Sequence, residues 1–382
     1  MEIRAHEVSA NGIRQRVLVA GPPDGRPVLL IHGNCSSADF WRPLLRHLPA
    51  DLRLVAPDLR GYGGTEAAPV DATRGLGVFA DDVAALFDEP TLFEPTLFEP
   101  ALSDPALSGA AGARPVVVGH SLGGGVAMRL LVDHPERVAG LLLAAPVSPY
   151  GFGGTRDLAG TPTTPDFAGT GGGTANSDFV RRLAAGDRGA DERTSPRTVL
   201  RTAYVADPAS LGADEELLLD SVLSTATGDD NYPGTHRSSD NWPGMAPGDR
   251  GVLNALAPNH FRIADELVAV ARKPPITWVR GDADAIVSDT SLFDLAQLGA
   301  LGVLPGWPGA EACPPQPMIG QTRAVLDRYA AAGGSYREIV FAGCGHSPNI
   351  ERPTEFAAAL RDLVSGAHRV GAAGRAVTDS PQ

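Results

Sequence analysis

The chain has 382 residues, 43% of them apolar and 20% charged, the balance of an ordinary globular protein long enough for one large domain with a sizeable insertion, or for two domains. Its net charge of −13 argues against nucleic acid and anionic membrane surfaces as partners, because both select basic patches. Three cysteines (Cys35, Cys313 and Cys344) have no metal-ligand spacing and form no even set, no apolar run approaches a membrane span and no leader pattern stands at the start, so a cytoplasmic setting is expected.

In chain order, Ile3–Val8 and Ile13–Val19 flank Asn11-Gly12, a strong signal for a two-residue hairpin. Val28–Ile31 is a continuous apolar run ending in His32-Gly33-Asn34, as a buried parallel strand should. Leu52–Ala56 repeats the pattern, and Val116–Val118, Leu141–Ala144, Ile276–Val279 and Glu338–Phe341 follow. Helical stretches such as Leu76–Phe87 and Gly124–Val132 lie between most of them. Strands alternating with helices predict an α/β fold, a mostly parallel sheet covered on both faces. Ligands of such sheets bind beyond the carboxyl ends of the strands.

Two segments break this rhythm. Residues 148–269 carry no comparable strand, and helix-like pieces are expected near Asn176–Ala185, Ser195–Ala206 and Asp214–Thr225, with a loop at Gly228–Arg250. An excursion of about 120 residues from the active edge of a sheet reads as a lid or cap. It would divide a core made of residues 1–147 and 270–366. The second break, residues 88–114, holds an imperfect repeat (Thr91–Leu107) with proline every fifth position, which forbids a regular helix and predicts an exposed extended loop. A further segment, Leu298–Gln321, has no functional reading, and the polar tail 367–382 is expected to fray.

The chemistry centres on GHSLG at Gly119–Gly123, between an apolar strand and a helix. That order places Ser121 on a sharp, strained corner with its hydroxyl exposed. A serine hydroxyl is a poor nucleophile unless a base removes its proton. Of nine histidines, His346 is the expected base, since it follows a strand in a loop that Gly345 allows to turn toward the sheet edge. His32 is expected to make a structural hydrogen bond, and His120 to point elsewhere. The base needs a carboxylate partner. Asp282 and Asp284 both stand at the end of Ile276–Val279, and Asp284, further into the loop, reaches a histidine more naturally. Backbone amides must face the developing oxyanion. Leu122 supplies one, and the other is assigned to Asn34, with Cys35 as runner-up.

These motifs, with HGNCSSADFW at His32–Trp41, PDLRGYGGT at Pro57–Thr65, GDADAIV at Gly281–Val287 and GHSPNIERPTEF at Gly345–Phe356, resemble the α/β-hydrolase fold superfamily. The resemblance is to its epoxide-hydrolase-like, haloalkane-dehalogenase-like and carboxylesterase-like branch. It implies the second acid of the GxxD turn as the triad member, which favours Asp284. The dehalogenases and epoxide hydrolases of that branch use an elbow aspartate where this chain has Ser121, so those two reactions are not expected. The expected function is a serine hydrolase of a carboxylic ester or lactone with a medium-sized, rather apolar acyl or alcohol part. Ser121, Asp284 and His346 would be catalytic, and Cys35, Val147, Trp242 and Val287 would contact substrate, with no metal or organic cofactor. Carbon–carbon bond hydrolysis of a diketone, acyl transfer and amide or thioester cleavage stand as alternatives on the same triad, as does a non-catalytic ligand receptor of this fold.

Overall fold

A computed structural model describes residues 1–93 and 114–366. The Thr91–Leu107 repeat beyond Phe93 and the tail 367–382 therefore lie outside the described residues. The hairpin forms where expected, β1 (Ile3–Ala10) pairing antiparallel with β2 (Ile13–Ala20) and Ala10 opposite Ile13. Asn11 and Gly12 have φ of 50° and 75°, the positive values that a two-residue type I′ loop requires at both positions.

The sheet continues through β3 (Arg26–Ile31), β4 (Leu52–Pro57), β5 (Val116–His120) and β6 (Gly140–Ala144). After β6 the chain leaves the sheet and forms two short ladders, β7 (Thr227–Gly228) with β8 (Tyr232–Pro233), and β9 (His236–Ser238) with β10 (Met245–Pro247). It returns as β11 (Ile276–Gly281) and β12 (Tyr336–Phe341). The eight-stranded order is β1-β2-β4-β3-β5-β6-β11-β12, parallel from β4 onward. Only the β1–β2 and β2–β4 pairs of this sheet are antiparallel.

The apolar runs are continuous because both faces of the sheet are buried. Leu29, Ile31, Val117, Leu141 and Leu143 point into one core, and their neighbours Val28, Leu30, Val118 and Leu142 into the other. Each such side chain, fully withdrawn from water, stabilises the fold by about 1.5–3 kcal/mol before entropy is counted. On the first face lie the helices Gly77–Ala85, Leu122–Asp133 and Met318–Ala331. On the second lie Arg42–Leu45 and Pro353–Val364, the latter through Phe356, Leu360 and Leu363.

Two of the three expected helices of the excursion form, Ser177–Ala184 and Glu215–Leu223, the first capped by the Asn176 side chain on the amides of Asp178 and Phe179. The third differs. An α-helical turn, Pro196–Val199, capped by Ser195, widens into a π-helical turn at Leu200–Tyr204.

The Leu298–Gln321 segment ends in two buried glutamines that stitch it to the first residues of the excursion. Gln321 Oε1 accepts from Ser148 Oγ and from Gln316 Nε2, both at 2.7 Å. Its amide nitrogen donates to Thr155 Oγ1 (2.9 Å) and to the Asp157 carbonyl (2.8 Å). Gln316 accepts from the Gly153 amide and donates to the Gly151 carbonyl. Every polar atom of both side-chain amides is thus paired, which a buried amide requires.

Candidate active site

Ser121 stands between β5 and the helix Leu122–Asp133 with φ 54° and ψ −118°, outside the regions an L-residue favours. The corner closes because its flanks carry no side chains. A Cβ on Gly119 would lie 2.2 Å from the Gly123 carbonyl oxygen, and one on Gly123 would lie 2.3 Å from those of Ile31 and His32. The strained residue is held by four backbone bonds: its amide donates to Ala144 (2.9 Å), and its carbonyl accepts from Gly124 (2.9 Å), Gly125 (3.3 Å) and Val147 (3.1 Å).

His346, in the loop after β12, places Nδ1 2.8 Å from Asp284 Oδ2, and both side chains are buried. The other carboxylate oxygen accepts the amides of Ile286 (2.7 Å) and Val287 (2.9 Å). A carboxylate oxygen only accepts, so Nδ1 carries a hydrogen, and in the neutral ring the lone pair is left on Nε2. Asp282 is exposed and accepts the Gly343 amide at 2.7 Å, bracing the turn. The structure therefore pairs His346 with the second acid of the turn.

The two nearest competing histidines are engaged elsewhere. His32 lies between the Leu59 amide on Nε2 (2.9 Å) and the Gly33 carbonyl on Nδ1 (2.8 Å), and burial lowers its pKa. His120 donates from Nε2 to the His346 carbonyl at 2.8 Å, their rings 4.8 Å apart. Burial, with the neighbouring His346 adding to it, pushes the His120 imidazole down to about 3. Both are neutral near pH 7.

The amides of Leu122 and Asn34 donate to no group among the described residues. The Asn34 side-chain oxygen accepts from Tyr62 Oη at 2.7 Å. Cys35, at φ 43°, lies behind it with a thiol that burial pushes up to about 12.

Ser121, His346, Asn34 and Leu122 open on one cavity of about 600 Å³, with Cys35, Val147 and Val287 in its wall. The excursion supplies the facing wall through Phe152, Phe179, Tyr204 and Tyr232, and residues just before the Leu298–Gln321 segment supply Phe293 and Leu295. Trp242 is the correction. Its indole N–H donates to the Pro305 carbonyl at 2.9 Å, which holds it among the residues of that segment and away from the cavity wall. Sequence reasoning also missed Asp294, a buried acid of the wall whose pKa burial raises against the opposing amide bonds of Gln316 and Ala296. Its only sequence signal was a charge in an apolar stretch, Ser291–Leu298. Among the described residues no group of three or more His, Cys, Asp or Glu side chains could hold a metal ion, and no helix is long and apolar enough to cross a membrane.

A pimeloyl-[acyl-carrier protein] methyl ester esterase of Aromatoleum aromaticum is 32% identical over 225 residues, 54% of this chain and 75% of the relative. Epoxide hydrolase A of Mycobacterium tuberculosis is 24% identical over 94% of this chain and 96% of its own length. The chain spans about two fifths of the length of several other curated relatives that it matches. Among solved structures, the esterase RhEst1 from Rhodococcus sp. ECU1013 superposes with a TM-score of 0.55 at 21% identity, covering 96% of this chain and 99% of that one. The profile of the alpha/beta hydrolase family matches residues 28–359, most of the sequence, and the chain belongs to that family.

Proposed function

We propose that the protein is a serine hydrolase that cleaves a carboxylic ester or lactone with a medium-sized, rather apolar acyl or alcohol part, through an acyl-enzyme. The observation that carries this reading is the buried His346–Asp284 pair opening with Ser121 onto one largely apolar cavity beside two undonated amides. Ser121 Oγ attacks the carbonyl carbon while His346 Nε2 takes its proton. Asp284 fixes the tautomer and stabilises the imidazolium, and the amides of Leu122 and Asn34 stabilise the tetrahedral oxyanion. The imidazolium then protonates the leaving alcohol, and water, activated by the same base, releases the acid. The excursion 148–269 acts as the lid that shapes the substrate space.

The cavity's size and apolar wall suit an acyl chain of a few carbons better than a polymer. Ester hydrolysis is also what the names of the Aromatoleum relative and the Rhodococcus neighbour describe. The test is labelling with a fluorophosphonate, together with turnover of p-nitrophenyl acetate and butyrate against a panel of diketones. Labelling and ester turnover should both vanish in Ser121→Ala while the protein stays folded by circular dichroism. Preference for the diketones would move the assignment to carbon–carbon bond hydrolysis.

A further inference from the structure

One stretch of the excursion, residues 204–207, touches both loops on which the proposed reaction depends. The single hydrogen of the Tyr204 hydroxyl is shared between the carbonyl oxygens of Asn34 at 3.0 Å and Cys35 at 3.2 Å. Just beyond it, the amides of Ala206 and Asp207 donate to Glu351 Oε2 at 2.9 and 3.1 Å. The other oxygen of that buried carboxylate accepts the Gly345 amide at 2.6 Å, immediately before His346. Gly345 has no room for a side chain, since a Cβ there would lie 2.5 Å from the Ala206 nitrogen. The Tyr204 ring also meets the His346 imidazole edge-on, at 6.3 Å and 87°.

A trans peptide ties the direction of each N–H to that of the carbonyl before it. The Gly33 carbonyl, which sets the Asn34 amide, is held from within the core by His32 Nδ1 (2.8 Å) and Ser36 Oγ (2.9 Å). The next two carbonyls are held by Tyr204, across 170 and 169 residues of sequence. Between them sits Cys35 at φ 43°, a conformation that a non-glycine residue keeps only where its surroundings impose it. The tyrosine hydroxyl therefore fixes the peptide that joins the two candidate oxyanion residues. Glu351 in turn couples the same stretch to the backbone that carries the base.

We infer that Tyr204 and Glu351 are positioning residues of the proposed reaction: the 204–207 stretch braces the loop that carries the Asn34 amide by holding the next two carbonyls, those of Asn34 and Cys35, and braces the base loop through Glu351. This inference rests on the serine-hydrolase reading. Neither residue need touch substrate for its role. Seating of the excursion and assembly of the oxyanion site become one event, because the same four residues serve both.

The test compares wild type with Tyr204→Phe, which keeps the ring and removes only the shared hydroxyl donation to the two carbonyls. The substrate is p-nitrophenyl butyrate, and the probe is a trifluoromethyl ketone whose hemiketal oxygen occupies the oxyanion position. A mispositioned donor should cost less than a deleted one, whose removal costs about 10²–10³-fold, so kcat should fall about tenfold and by no more than about a hundredfold. KM should stay within about threefold, and affinity for the ketone should fall by the same factor as kcat/KM. Glu351→Gln, which turns an amide N–H toward donors, should also lower kcat more than it changes KM. Wild-type kcat in Tyr204→Phe, or a loss of kcat with full ketone affinity, overturns the inference while leaving the hydrolase reading intact. Ester turnover that survives in Ser121→Ala removes both.

Discussion

Replacing Asp284 by asparagine is the sharpest perturbation, because the structure dictates how the new side chain must sit. Oδ1 of Asp284 accepts two amides, from Ile286 at 2.7 Å and Val287 at 2.9 Å. An asparagine satisfies both only by placing its carbonyl oxygen there, which turns its NH2 toward His346 Nδ1, the atom now 2.8 Å from Oδ2. Nδ1 must then accept, the ring hydrogen moves to Nε2, and on the proposed mechanism His346 loses the lone pair it needs to activate Ser121. A wrong-tautomer change of this kind lowers kcat by about 10⁴-fold, or about 5.5 kcal/mol of transition-state stabilisation. KM should change by only a few fold, since the cavity wall is unaltered. Asp282→Asn keeps the oxygen that accepts the Gly343 amide and should cost less than about threefold. Steady-state turnover of p-nitrophenyl butyrate by both variants gives the answer. Asp284→Asn with more than a tenth of wild-type kcat, or the reverse ranking of the two aspartates, would refute the reasoning.

Two further tests address groups outside the reacting atoms. His120 is held down to about 3, whereas an exposed histidine titrates near 6.5, so between those values the unfolded chain binds a proton that the folded one refuses. The stability tied to its neutral form is full above about 6.5 and declines as pH falls toward 3, at up to about 1.4 kcal/mol per unit. Urea midpoints between pH 6.5 and 4.5 should thus fall less steeply in His120→Asn than in wild type, and parallel slopes would contradict the assignment. The three cysteines are buried, burial pushing Cys35 up to about 12, Cys313 up to about 11 and Cys344 upward as well. Iodoacetamide at pH 8 should leave them unmodified in the native protein and alkylate all three in guanidinium; rapid native labelling would show a more open interior.

Much of the architecture was legible because its signals are local. Asn11-Gly12 demands a tight hairpin, the continuous apolar runs Val28–Ile31, Val116–Val118 and Leu141–Ala144 demand a sheet buried on both faces, and Gly119 and Gly123 mark a corner that tolerates no side chain. The pairing of His346 with Asp284 was legible only as a preference, since Asp282 lies on the same turn and nothing in its chemistry distinguishes it. What separates the two is orientation, one carboxylate facing the imidazole and the other the Gly343 amide. Less legible were contacts between distant segments. Arg201-Thr202-Ala203-Tyr204 reads as plain helix, with no trace of the wider turn or of a hydroxyl reaching residues 34 and 35. Trp242 drew attention as a large aromatic in an unassigned loop, yet aromatic size alone does not say which wall a ring will join. Here the Pro305 carbonyl decides it.

The paired glutamines bear on how substrate gets in. Ser148, Gly151, Gly153 and Thr155 open the excursion, and all four are bound to Gln316 or Gln321, so parting them would strand several donors and acceptors without water. The excursion is therefore pinned firmly where it leaves the sheet. On the proposed function, substitutions that alter substrate and product exchange should be sought on the Ser177–Ala184 side of the excursion, away from the pinned end.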